Sequence, residues 1–405
     1  MTDVIKKYIV FAFQIVIVIS FIIGTYFLIT RPASSGDESL FVNDLNLIKS
    51  QGWITAIATK VSITYLLLAY PFSFFLPDFM ALRLVNVLLF LLLLLYFVKW
   101  GAIKNKMFFF YLLFYSSTGW FTAGTNDVIF VVCSIVFFNE VYKALEDKQN
   151  SKVTLLWCSL IVVFFTRELF YVYAPIFLFS LYLLYRKGIL LFQKPLIPLA
   201  LFVFFIVVNI PSLQKNHALS YDHKMPPKEV KATWGQRQYL GQLLVNEGKL
   251  ENYQHPSWEE TEAYLDKNGV KSLPISTLDG MLFDYKLTIT EFCKDFADVF
   301  KGTIRQMGLI MPIILCFLLY QVFRQKITYN LYVPFVNLVM IAIFSLIIIS
   351  YVESRWLIAP FIMGMLYYSD IEWDKKINSN LIYLNYTATI AISVYGIYKM
   401  FLFFI

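Results

Sequence analysis

The feature that most constrains this chain is the recurrence of apolar runs long enough to cross a bilayer. They lie at 8–30, 80–98, 106–123, 127–145, 153–166, 168–186, 195–213, 304–323, 329–350, 355–369 and 381–404. A hydrocarbon core of about 30 Å needs about 20 residues of helix. The eleven runs therefore predict an all-α polytopic membrane protein with about 11 transmembrane helices. Composition agrees, with 59% hydrophobic and only 15% charged residues, where soluble domains carry about a quarter charged. The net charge of +7 is then no sign of a nucleic-acid partner, because in a membrane protein the placement of cations matters more than their sum. Lys6 and Lys7 precede the first run, but the run is too long for a signal peptide and no small-residue cleavage motif follows, so it reads as a retained anchor. Cys133, Cys158 and Cys316 fall in apolar segments and Cys293 stands alone, which argues against a disulfide framework.

One further apolar stretch, Val61 to Leu76, is ambiguous because it contains Pro71 and runs into Pro77. If it lies flat at the interface and the N-terminus is cytoplasmic, the inner loops become "KWGAIKNK", "KALEDKQNSK", "YRKGILLFQK", "FRQK" and "DIEWDKK". All are rich in Lys or Arg, as cytoplasmic loops are. If the stretch spanned, every later loop would invert. The first arrangement is the expected one, with an interfacial helix at 61–76.

That topology puts Asp37, Glu38, Asp127, Arg167, Glu168, Glu353 and Arg355 on the outer face, although none of them was used to set it. The chain divides into a membrane core at 1–213 with its first outer loop at 31–79, a small outer domain or loop at 214–303, and C-terminal spans at 304–405. The outer region holds all three histidines, His217, His223 and His255. Within it "HPSWEETEAYLDKNGV" predicts a helix capped by Ser257 and closed at Asn268-Gly269.

Three groups of residues could carry chemistry. Asp37 and Glu38 follow the loop "RPASSG" and open a segment with an apolar stripe at 40, 41, 45, 47 and 48. They are either solvated loop acids or carboxylates held at the membrane surface, where partial desolvation raises a carboxyl pKa and makes a base competent near neutral pH. Asp127, at the mouth of a long apolar run, fits a helix cap or a cavity lining, and the two are compatible. Lys60, Arg83, Arg167 and Arg355 are cations near the membrane surface, where an unpaired charge is costly. They either neutralise local acids, as Arg167–Glu168 and Glu353–Arg355 would, or bind phosphoryl oxygens. Asp44 matches no motif and reads as a solvated helix residue. The chain has no P-loop, HExxH, GxSxG or CxxC pattern, and no inverted repeat of the transporter kind.

Taken in order, these residues resemble the GT-C superfamily of polytopic glycosyltransferases, in the branch of the protein O-mannosyltransferases and the lipid A aminoarabinose transferase. The "DE" pair at 37–38 follows the first span, Arg83-Leu84 opens the second, Asp127 opens a later one, Arg167 stands in "FTRE", and "ESRW" covers Glu353 to Trp356. The similarity covers residues 1–213 and 350–360. It departs at "KVSITYLL", which keeps Lys60 but lacks the prolines of the family's Lys-Pro-Pro-Leu motif.

The resemblance implies an inverting transfer from a polyprenyl-phosphate-linked sugar to a glycan, lipid or protein hydroxyl on the extracytoplasmic side of an inner (plasma) membrane. It implies Asp37 as general base, Glu38 as its support and Asp127 as an acceptor or sugar ligand. Lys60, Arg83, Arg167 and Arg355 would face the leaving lipid phosphate, and Glu168 and Glu353 would border the substrate. No cofactor follows from it; some members use a divalent metal (Mg or Mn) with their carboxylates and others do not. Two alternatives share the architecture. A polysaccharide polymerase or ligase would depend on the outer histidines, and a transporter or flippase for lipid-linked sugars would form no glycosidic bond.

Overall fold

The computed structural model describes residues 3–32, 36–146, 151–189, 195–221 and 230–404. Among the described residues the ordered elements are all helical. In chain order they are α1 (Asp3–Thr30), α2 (Asp37–Ala58), α3 (Ile63–Ala69), α4 (Asp78–Trp100), α5 (Met107–Ser116) and α6 (Asp127–Leu145). Next come α7 (Val153–Thr166), α8 (Leu169–Arg186), α9 (Leu196–Asn216), α10 (Trp234–Asn246), α11 (Trp258–Asn268) and α12 (Thr277–Phe283). The last are α13 (Tyr285–Met307), α14 (Ile310–Phe323), α15 (Tyr332–Leu346), α16 (Ile358–Trp373) and α17 (Ser379–Phe404). They form two compact units: one of 1–223, 303–337 and 358–405, the other of 224–302 and 338–357. The sequence reading placed 214–303 in an outer region and 338–357 among the C-terminal spans.

Seven helices are long and apolar enough to cross a membrane: α1, α4, α6, α8, α9, α15 with the turn before it, and α17. This is the architecture of a multi-pass membrane protein. The other four expected spans map onto shorter helices. The run at 106–123 supplies only the ten residues of α5, about 15 Å at 1.5 Å per residue. It ends where Ser116, Ser117 and Thr118 donate their hydroxyls to carbonyls of Leu112, Phe114 and Tyr115, each at 2.6 Å, and Gly119 turns the chain at φ 92°. Hydroxyls bonded back to the preceding turn compete with helix continuation. α7 and α14 have 14 residues each and α16 has 16. The stretch expected to lie flat at 61–76 forms a short apolar helical segment, Ile63–Phe74, too short to span.

In the first unit α6 is buried nearly all round, whereas α1, α9 and α17 leave most of their apolar surface exposed. The end of α6 remote from Asp127 gathers the basic loops. Lys104 pairs with Asp374 at 3.2 Å, Lys187 donates to the carbonyls of Ala144 and Leu145, and Tyr142 donates to Asp370 at 3.1 Å. Lys143, the first residue of the basic stretch "KALEDKQNSK", is buried. It bonds Glu140 at 2.7 Å and the carbonyl of Trp100 at 2.8 Å, while Tyr96 donates to the same Glu140 oxygen at 2.6 Å. Burying a cation demands such a set of partners. Residues 147–150 and 190–194, parts of two expected inner loops, lie outside the described residues.

The second unit packs Ala232, Tyr239, Leu240, Leu265, Leu273 and Ile348 into a small core. The predicted helix at 258 forms as expected: Ser257 Oγ accepts from Glu260 N at 3.1 Å, Ser257 N donates to Glu260 Oε2 at 2.7 Å, and Gly269 closes it at φ 90°. On α13, Asp295 is buried one turn after Glu291. Burial, then the Glu291 carboxylate, lift its carboxyl from 3.8 to about 7, and Asp298 adds to this while Lys294 opposes it. The folded state therefore binds a proton at Asp295 that the unfolded chain releases above pH ~4. This acid's contribution to stability is largest below that pH and falls until about pH 7. Thermal melting of Asp295→Asn between pH 4 and 8 is expected to show a flatter pH dependence than the parent, with the variant more stable at pH 8.

Candidate active site

The first two residues of α2 differ in burial. Glu38, Phe41, Leu45 and Ile48 are buried, a spacing that follows one face of a 3.6-residue helix. Asp37, four residues before Phe41, borders the same face on its other edge and is half-buried. Gly36 leads into the helix at φ 92°, a conformation that favours glycine. Asp44 is half-buried rather than solvated. Residues 33–35 of the preceding loop lie outside the described residues.

Glu38 meets Arg83 in a bidentate pair. Arg83 Nε donates to Glu38 Oε1 at 2.7 Å and Nη2 to Oε2 at 2.8 Å. The remaining guanidinium donors reach the carbonyls of Ile29 (3.1 Å), Arg31 (2.5 Å) and Pro32 (3.0 Å). An arginine has five N–H donors, and here each has an acceptor. Glu38 is 3% and Arg83 4% exposed, so the pair is a closed clamp that leaves Arg83 no donor for a substrate phosphate. Glu38 Oε1 also accepts from Gly124 N at 3.2 Å, which joins α2 to the turn before α6. A methyl on Gly124 would sit 2.7 Å from that oxygen and 3.1 Å from Leu82 Cβ. Gly124→Ala is expected to cost about 1–3 kcal/mol through such overpacking, read as a lowered melting temperature.

The same turn leads to Asp127, the first residue of α6. Thr125 Oγ1 donates to Asp127 Oδ2 at 3.1 Å, and Arg167 pairs with Oδ1. Asn86, buried on α4, donates to the carbonyl of Thr125 at 3.0 Å. Asn126, the N-cap residue of α6, makes no capping bond with its side chain. The Asn126 amide instead donates to Ser62 Oγ at 3.0 Å. Ser62 Oγ in turn donates towards the Thr166 carbonyl at 3.4 Å, and Thr64 Oγ1 donates to Thr166 Oγ1 at 3.0 Å.

These bonds bring in Lys60. It follows the end of α2 in the left-handed region, φ 67°, where helices commonly close and where a side chain costs roughly 1–2 kcal/mol. Ala102, His217, Gln325 and Lys375 share that conformation, so the strain alone marks no function. What sets Lys60 apart is its ammonium, which is half-buried and has no hydrogen-bond or ion-pair partner among the described residues.

Five segments thus converge: the start of α2, the 59–62 turn, Arg83 on α4, the turn into α6, and Thr166-Arg167. Arg83 and Trp100 are 17 positions apart on α4, about 26 Å at 1.5 Å per residue. The cluster therefore sits at the opposite end of α4 and α6 from the basic loops. Arg167 pairs with Asp127, and Glu168 is exposed. Glu353 and Arg355 lie in the second unit and pair with each other. His217 is exposed at the end of α9, His255 stands 3.5 Å from Ser350 Oγ, and His223 lies outside the described residues.

Sequence reading missed Ser62, Asn126 as a bridge, Thr166 and Gly124, because small polar residues in a turn give no pattern until the fold brings them together. As metal ligands the site carboxylates fit poorly. Glu38 and Asp127 each face an arginine, and among the described residues no three His, Cys, Asp or Glu side chains gather to hold an ion. Comparison of the chain with protein-family models, curated proteins and solved structures finds no match in any of the three.

Proposed function

We propose that the chain is an integral-membrane glycosyltransferase of the GT-C type. It moves a sugar from a polyprenyl-phosphate-linked donor to a hydroxyl of a glycan, lipid or protein on the extracytoplasmic side of the inner (plasma) membrane. The observation that carries this reading is the convergence of half-buried Asp37, the Asp127–Arg167 pair and Lys60, which has no side-chain partner among the described residues, at one end of a bundle of apolar helices, with the basic loops at the other.

In the proposed step the acceptor oxygen attacks C1 of the sugar while Asp37 takes its proton. The bond from C1 to the phosphate oxygen breaks with inversion, and the electron pair leaves with the polyprenyl phosphate. Lys60 and Arg167 neutralise the charge that develops on that phosphate, which stabilises the transition state more than the ground state. Asp127 orients Arg167 and the sugar hydroxyls. Arg83 holds Glu38, and through it the start of α2, instead of binding phosphate. Glu353, Arg355 and Glu168 remain candidates for contact with the lipid-linked substrate.

The test is release of polyprenyl phosphate from a panel of lipid-phosphate sugars by the purified protein. Lys60→Gln is expected to lower kcat/KM about 100-fold, or about 2.7 kcal/mol, without lowering the melting temperature. A Lys60→Gln variant as fast as the parent would remove Lys60 from the phosphate site.

A further inference from the structure

We propose that Asn126 is a positioning residue for Lys60, acting through Ser62. Asn126 is 1% and Ser62 0% exposed, and their 3.0 Å bond links the start of α6 to the turn that carries the Lys60 ammonium. That turn is pinned on its other side too. Ser220 Oγ bonds the carbonyl of Val61 at 2.7 Å, Asn216 Nδ2 donates to that of Ala58 at 3.0 Å, and Lys60 N donates to that of Ile57 at 3.0 Å. The backbone on both sides of Lys60 is thus fixed from α9 and from its own helix. Ser62 is where the turn meets the segments bearing Asp127 and Arg167, because its hydroxyl accepts from Asn126 and donates towards Thr166.

An asparagine at the start of a helix ordinarily caps it. This one caps nothing with its side chain and reaches across to a neighbouring turn. Its neighbours in sequence and space, Asp127 and Arg167, form the ion pair of the site. One buried amide therefore sets the placement of the 59–62 turn relative to that pair. Without it the Ser62 hydroxyl loses its donor, and the left-handed turn at Lys60 loses the contact that orients it towards the pair.

The test needs no substrate in its first arm, so it stands apart from the glycosyltransferase reading on which the second arm rests. The full-length protein is treated with an amine-reactive acylating reagent, and labelling of Lys60 is followed by peptide mass spectrometry. Asn126→Ala and Ser62→Ala are both expected to change the Lys60 labelling rate at least three-fold. The double variant should match the larger single effect, because both act through one bond, and Ser62→Thr, which keeps the hydroxyl, should restore the parent rate. In the second arm, added polyprenyl phosphate should protect Lys60 in the parent, and Asn126→Ala should need about ten-fold more lipid for the same protection. Unchanged Lys60 labelling in the folded Asn126→Ala protein overturns the positioning role, whatever Ser62→Ala does, because Ser62→Ala also removes the bond to Thr166. Altered labelling with no protection of the parent by lipid phosphate supports the positioning role and overturns the donor site.

Discussion

Replacing Arg83 with alanine is expected to destabilise the folded protein by about 3–5 kcal/mol, the usual cost of leaving a buried carboxylate without its cation. The clamp is closed. Five donors of Arg83 meet five acceptors, two on Glu38, one on Ile29 in the last turn of α1 and two on Arg31 and Pro32 just after it. Removing the guanidinium strands the Glu38 carboxylate, which then has Gly124 N as its remaining backbone donor, and frees the carbonyls of Ile29, Arg31 and Pro32. Arg83→Lys is expected to fail nearly as badly, because one ammonium cannot reproduce a planar five-donor fork. Glu38→Gln should be milder, since it keeps an acceptor and removes one charge from the pair. Melting of the three variants in detergent checks the order. If Arg83→Ala melted with the parent, the clamp would have no structural role.

Asp37→Asn should do the opposite. Asp37 is half-buried at the edge of the packed face of α2, so an isosteric amide there is expected to leave the melting temperature within a degree or two. As a general base its loss should lower the transfer rate by about 10²- to 10⁴-fold, with donor KM little changed. The rate would be read from initial velocities at saturating donor. A transfer rate equal to the parent's would move the base to another residue, Asp127 being the next candidate.

The contrast between those neighbours was half legible in the sequence. The apolar stripe at 41, 45 and 48 shows which side of α2 packs, and helical spacing places Asp37 and Glu38 on the two edges of that side; that Glu38 is the one buried is seen only in the fold. The partner of Glu38 was not legible. Glu38 and Arg83 are 45 positions apart, and nothing in either segment says that their charges meet each other before they meet a substrate. Arg83 and Lys60 read alike as surface cations, and only the fold shows that one is fully engaged while the other has no side-chain partner among the described residues.

Lys143 makes the same point at the far end of α6. It opens the basic stretch "KALEDKQNSK" but also falls within the apolar run at 127–145, and the helix, which runs to Leu145 as expected, buries it beside Glu140. The i, i+3 spacing of that pair was the available signal. Apolar run length located the helices well but overstated how many are long enough to span. A run such as 106–123 stays hydrophobic past the point where α5 ends, because hydroxyl side chains and a left-handed glycine stop a helix without lowering its average hydropathy much. A short helix of that kind still suits a membrane protein when, as with α5, most of it is buried within the protein.

The central claim is that this chain breaks and forms a glycosidic bond at the end of the bundle that carries Asp37. The most direct measurement uses the purified protein in sealed vesicles with a radiolabelled polyprenyl-phosphate sugar and a hydroxyl acceptor. It follows both the chemical state of the label and the leaflet it occupies. The predicted result is label on the acceptor with inverted anomeric configuration, one polyprenyl phosphate released per bond formed, and loss of both with Asp37→Asn. Label that crosses to the other leaflet still attached to its lipid, with no new glycosidic bond and no effect of Asp37→Asn, would contradict it.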